Sequence, residues 1–175
     1  MKLNAIFIGF FIIIFAAAPS FAALTSEATA TVTINSSFTL TLNTNSVNFG
    51  SVVPGTWKGN IPDNDGLIIT CKTNNGKPWH VYTNLVAPLT NNAKTINSDL
   101  IGWGWKGTTA TGDFKIPSGT SITVPFIPYL IYDSAASEKN NIPTGSELHL
   151  QFGIFVPANQ TAGTYTTNIR VTMTE

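Results

Sequence analysis

The chain has 175 residues, nine Lys/Arg against nine Asp/Glu, and only 10% charged residues. That balance excludes a nucleic-acid binder, which needs clustered cations to neutralise phosphates, and 43% apolar residues exclude a disordered chain. A single cysteine forbids an internal disulfide, which leaves a neutral, Thr/Asn-rich globular domain.

Lys2 precedes a 14-residue apolar run, Ala5–Ala18, too short to span a bilayer comfortably. Pro19 ends the run, and Ser20 and Ala22 place small residues where a signal peptidase reads. Residues 1–22 are therefore expected to be a signal peptide. Cleavage would start the mature chain at Ala23 and leave an exported protein with no transmembrane anchor.

Residues 28–42 alternate. Ala28, Ala30, Val32, Ile34, Phe38, Leu40 and Leu42 share one phase, and Thr29, Thr31, Thr33, Asn35, Thr39 and Thr41 the other. This is the pattern of a strand with one dry face and one wet face. Fifteen residues at about 3.3 Å each would run about 50 Å, far beyond a usual strand. Two strands are predicted, jointed at Asn35-Ser36-Ser37: an N-terminal strand within 23–35, and the first strand of a domain spanning 36–175.

Further along, Val47-Asn48-Phe49 reads as a short strand before the turn at Pro54-Gly55. Asp63-Asn64-Asp65-Gly66 is a second turn, feeding Leu67–Lys72. Asn74-Asn75-Gly76 followed by Trp79–Thr83 reads as a hairpin. Leu100–Trp105 is a short strand with two tryptophans. Val124–Tyr132 contains Pro125 and Pro128 and reads as an edge or bulged strand. Leu148, Leu150, Phe152, Ile154 and Val156 alternate cleanly, as do Tyr165, Thr167, Ile169, Val171 and Met173. No window has a helical period. About eight or nine strands predict an all-β fold, an immunoglobulin-like two-sheet β-sandwich.

Motifs for chemistry fail one after another. His80 and His149 have no Cys, Asp or Glu at ligand spacing, no serine sits in a nucleophile elbow, and no glycine loop cradles phosphate. The nine carboxylates are scattered, so no paired acid/base site is nominated. Asp63–Gly66 resembles a calcium loop, but its glycine comes too early and no downstream Glu completes it. No catalytic residue, cofactor or metal is expected, and the chain reads as a non-enzyme.

Two features stay open. Cys71 shares a strand phase with Leu67 and Ile69 and is expected to be a buried thiol, the alternative being a reactive or intermolecular one. Trp103 and Trp105 share one strand face across Gly104, where they either fill a core or stack on a glycan.

Ala30–Ile34, Phe38–Leu42 and Val47-Asn48-Phe49-Gly50 resemble the start of a spore coat protein U domain, a family grouped with the archaic chaperone–usher pilins. Gly66–Cys71 is similar to its middle strand ending in cysteine, and Tyr129–Tyr132 to its central Tyr-containing strand. Phe155–Gln160, Ala162–Tyr165 and Asn168–Thr174 carry the fullest resemblance. The family pairs its middle-strand Cys with one nearer the N-terminus; here Phe38 stands at that earlier place. Trp79-His80-Val81 also resembles the Trp-x-Leu pattern of WxL cell-wall-binding domains, with Val for Leu.

The pilin resemblance implies a sandwich short of one strand, completed by strand exchange: the N-terminal extension of a neighbouring subunit fills the groove. Ala28, Ala30, Val32 and Ile34 would be the subunit-interaction residues, with other copies or related subunits as partners and a periplasmic chaperone and usher in support. The competing assignment for residues 28–34 is an ordinary strand within its own domain. At the level of function, the expectation is an exported structural subunit of a surface fibre, pilus or coat. The alternative is a monomeric surface module that binds glycan or cell wall through Trp103 and Trp105.

Overall fold

The structure, a computed structural model, describes residues 27–61, 66–96, 100–116 and 120–175. The expected signal peptide at 1–22, and the acidic residues of the turn at 63–65, lie outside them. The chain divides into a segment ending at Ile34 and a compact unit, Asn35–Glu175.

The compact unit is all-β apart from one short 3-10 turn. In chain order the strands are β1 (Phe38–Leu42), β2 (Trp57–Ile61), β3 (Leu67–Thr73), β4 (His80–Leu85), β5 (Leu89–Asn91), β6 (Lys94–Ile96), β7 (Leu100–Lys106), β8 (Asp113–Phe114), β9 (Ile122–Thr123), β10 (Tyr129–Asp133), β11 (Ser146–Phe155) and β12 (Ile169–Thr174). They form two main antiparallel sheets and a small hairpin. The first sheet runs β1-β3-β11-β7-β9, with β2 also on β11; the second runs β12-β4-β10-β8; β5 and β6 pair with each other. The architecture is sandwich-like.

The two sheets share one core, built by the expected alternation. In β3, Leu67, Ile69, Cys71 and Thr73 are buried while Ile68, Thr70 and Lys72 are not. The ten residues of β11 make it the central strand. Its first half pairs β3 and its second half β2 along one edge, and β7 covers the other. Leu148, Leu150, Phe152 and Ile154 of β11 meet Val81 and Leu85 of β4 and Ile131 of β10 in the same apolar cluster. Burying each such side chain contributes about 1.5–3 kcal/mol.

Several expectations are corrected. Residues 74–79 do not make a hairpin: β3 lies in the first sheet and β4 in the second. The reason is in the turn itself, whose polar groups bond elsewhere. Asn74 Oδ1 accepts from the Ser37 N–H at 2.7 Å, and the Gly76 N–H donates to the Lys139 carbonyl at 3.1 Å. Trp79 then enters the core, fully buried, with its Nε1–H donating to the Glu138 carbonyl at 3.1 Å.

Val47–Phe49 forms no strand; it lies in a loop whose Asn48 Oδ1 accepts from the Gly50 N–H at 2.8 Å. Of Val124–Tyr132 only the part after its prolines is strand: β9 ends at Thr123, before the segment, and β10 begins at Tyr129. The bulge expected there falls between Leu130 and Tyr132, but β10 is flanked by β4 and β8 rather than lying at an edge. The residue opposite Cys71 is Leu40, not Phe38, which faces Thr73.

Candidate functional site

The first sheet ends at β1 and the second at β12. Each pairs a single neighbour among the described residues, so one side of both strands has no ladder partner. The two edges approach within 8 Å at their closest. Their closed end lies where β1 begins and β12 finishes: Asn75 Nδ2 and Lys77 Nζ both reach the Glu175 carboxylate there, the lysine at 3.4 Å. Their other end is open.

Between Leu42 and Ile169 lies a groove of about 820 Å³. Its lining reaches the core at Leu67, Leu100 and Ile154, which are themselves buried. One wall is the loop after β1, which contributes Val47, Phe49 and Val52; the other is Ile169 and Val171 of β12 with Tyr165 before them.

Local chemistry holds both walls. Asn43 ends the β1–β3 ladder with its own side chain, Oδ1 accepting from the Ile68 N–H at 2.9 Å and Nδ2 donating to the Gly66 carbonyl at 3.3 Å. Opposite, Tyr165 Oη donates to the Thr161 carbonyl at 2.8 Å and accepts from Gln160 Nε2 at 2.6 Å. Ile169, Val171 and Met173 are half-buried, although a central strand with this pattern would bury them fully. Half-burial is what the lip of an open groove requires.

Residues 27–34 form no strand among the described residues. Val32 and Ile34 are 83% and 80% exposed, and Ala28 and Ala30 are exposed as well.

The tryptophans divide. Trp79 packs on Tyr132 with ring centroids 5.4 Å apart. Trp103 and Trp105 instead lie on the outward face of β7, and Trp57, which the sequence pattern leaves apart from them, stands 6.4 Å from Trp103. Trp103 Nε1 donates to Gln151 Oε1 at 3.2 Å.

The ionisable groups sit mostly in structural networks. Glu138 is buried in the 3-10 turn and accepts from the Tyr132 hydroxyl at 2.8 Å, from the Ala135 N–H at 2.6 Å and from the Thr111 N–H at 3.1 Å. Burial, with this carboxylate beside it, holds the Tyr132 hydroxyl protonated well above the usual tyrosine range. His80 Nδ1 lies 2.6 Å from Asp133, and Lys115 Nζ reaches Asp133 at 2.8 Å and Asp113 at 2.6 Å. Partial burial works against ionisation of Asp133, but the bonds from Lys115 and His80 outweigh it and hold the carboxyl below its ordinary value.

Cys71 is fully buried, and burial first, then the nearby Glu138 charge, pushes its thiol up to about 12. Among the described residues no three His, Cys, Asp or Glu side chains are grouped so as to hold a metal ion. No protein-family model, curated protein or solved structure matches this chain.

Proposed function

We propose that the protein is an exported structural subunit of a surface fibre, pilus or coat. It is built on an incomplete immunoglobulin-like sandwich and assembles by β-strand addition rather than acting as an enzyme. The observation that carries this reading is a groove, lined about equally by apolar and polar groups, between two sheet edges that lack ladder partners among the described residues. An added strand would satisfy the backbone groups along an edge and cover the half-buried Val47, Phe49, Ile169 and Val171 at once.

The occupant is residues 28–34 of a second copy or related subunit. Its alternating Ala28, Ala30, Val32 and Ile34 match a groove walled by those apolar side chains, and Val32 and Ile34 have most of their surface left to bury. Their burial contributes about 1.5–3 kcal/mol each. Open edges and an exposed apolar strand in one chain are an aggregation hazard before assembly. A periplasmic chaperone and an usher would protect them, once the signal peptide is removed after Ala22.

The test compares the full mature chain with Val32→Asp by sedimentation at high concentration. The native sequence should form chains of subunits. The variant should remain monomeric with its melting temperature unchanged, because Val32 is not part of the monomer's core. A chain starting at Ser36 should likewise form no chains of subunits and should bind a peptide of residues 25–35, with a rise in its melting temperature. A full-length protein that stays monomeric with residues 28–34 protected from hydrogen exchange would overturn the reading.

A further inference from the structure

We propose that the outward face of the first sheet is a binding platform for a neutral polysaccharide. The platform is a cluster of three tryptophans, Trp57, Trp103 and Trp105, edged by Gln151. The site is separate from the groove and does not depend on strand exchange.

The half-solvated face of an antiparallel sheet is ordinarily polar. Here the inward phase of β7 and β11 fills the core, and the outward phase carries tryptophans. Trp57 is 47% and Trp105 39% exposed, and Trp103 is half-buried between them. Register explains their alignment: Gln151 stands opposite Trp103, and His149 opposite Trp105. Trp103 and Trp105 are two residues apart on one strand, about 6.8 Å, and Trp57, across β11 on β2, stands 6.4 Å from Trp103. These spacings are comparable with the rise of one pyranose unit along a polymer.

The rings are held in place. Gly153 of β11 lies beneath the Trp57 ring, where any added methyl would land on the indole. Trp103 is fixed by its bond to Gln151, and Trp105 packs on the His149 ring at 5.3 Å. Ordered in this way, the indoles lose little side-chain entropy when a ligand lies on them.

Pyranose rings present an apolar C–H face and a rim of hydroxyls. Indole faces take the first, while the Gln151 amide beside them suits the second. A lipid surface or a dry contact between copies has no use for a polar group set among the rings. Charge selects among glycans: Trp57, Trp103, Trp105 and Gln151 carry none, and the Glu147 carboxylate, on the same phase of β11 and 4.0 Å from His149 Nε2, would repel a polymer of uronic acids or sulfated sugars but not a neutral one.

The experiment uses the full mature chain. Retention is measured on insoluble cellulose, chitin, curdlan and mannan, with alginate and phosphatidylcholine vesicles as contrasts. Tryptophan fluorescence is titrated with the matching hexasaccharides. Retention on at least one neutral polymer, with a saturable fluorescence change, is the expected result. Trp57→Ala and Trp105→Ala should weaken it about tenfold or more. Gly153→Ala should do the same while keeping all four tryptophans, since the added methyl must displace the Trp57 indole, itself 47% exposed. Val32→Asp should leave the hexasaccharide titration unchanged, which separates this site from assembly.

Any one of four results would overturn the proposal. They are no retention on the neutral polymers, retention indifferent to all three variants, stronger retention on vesicles or alginate, and self-association that the Trp57 variant abolishes.

Discussion

Cys71 shows how a residue's neighbours decide its chemistry. In an exported domain a lone thiol invites a disulfide with another chain, yet this one lies on the inward phase of β3 between Ile69 and Thr73 with no solvent contact. Native protein at pH 8 should therefore react with a thiol reagent only as fast as it unfolds, and at full rate in urea. The same burial gives a pH dependence. The folded thiol is raised from 9.0 to about 12, so across that window the unfolded chain has lost a proton that the folded chain retains. The unfolded state binds fewer protons, and stability falls as pH rises from about 9 to 12. Tyr132, shifted in the same direction, adds to the fall. Urea midpoints measured across this range should decline, less steeply for Cys71→Ala.

Register is the corresponding question for strands. The β1–β3 ladder bonds the Asn74 N–H to the Ser37 carbonyl and the Asn43 N–H to the Ile68 carbonyl. Alternation between these bonded pairs makes Leu40 and Cys71 a non-hydrogen-bonded pair, the kind whose side chains lie closest. Leu40→Cys should therefore close a disulfide with Cys71 under mild oxidation, and Phe38→Cys should not. Counting free thiols in denaturant distinguishes the two. The opposite result would mean that β1 is shifted by two residues. The turn at residues 74–79 makes a related point, because Asn-Gly chemistry signals a bend without saying whether the next strand returns to the same sheet or crosses to the other.

For the whole molecule, low charge and two open edges set the conditions of assembly. A groove walled by the half-buried Val47, Phe49, Ile169 and Val171 and edged by backbone donors and acceptors attracts a strand through apolar burial and ladder bonds. Neither is screened by salt. Fibres formed by the mechanism proposed above should persist in about 1 M NaCl, where the Debye length is about 3 Å, and should dissociate only under conditions that unfold the strands. Light scattering during a salt titration would measure this. Loss of the fibres at moderate ionic strength would point to charge-driven contacts instead.

Composition and period determined much of this protein. The all-β class, the inward phases of β3 and β11, the burial of Cys71 and the exposure of a tryptophan pair or its burial as a defined choice were all legible, because alternation of two is a local property of the chain. The short strands β2, β5, β6 and β8 were not, since two to five residues carry too little pattern to stand out. Trp57 could not be joined to Trp103 from sequence. Their approach depends on β2 and β7 flanking the same strand from opposite edges, a fact of topology. Likewise, Phe38–Leu42 and Ile169–Val171 read as ordinary strands. Only the tertiary structure decides that both are sheet edges without a further partner among the described residues, because an unpaired edge is defined by which strand is not beside it, and no residue records that locally.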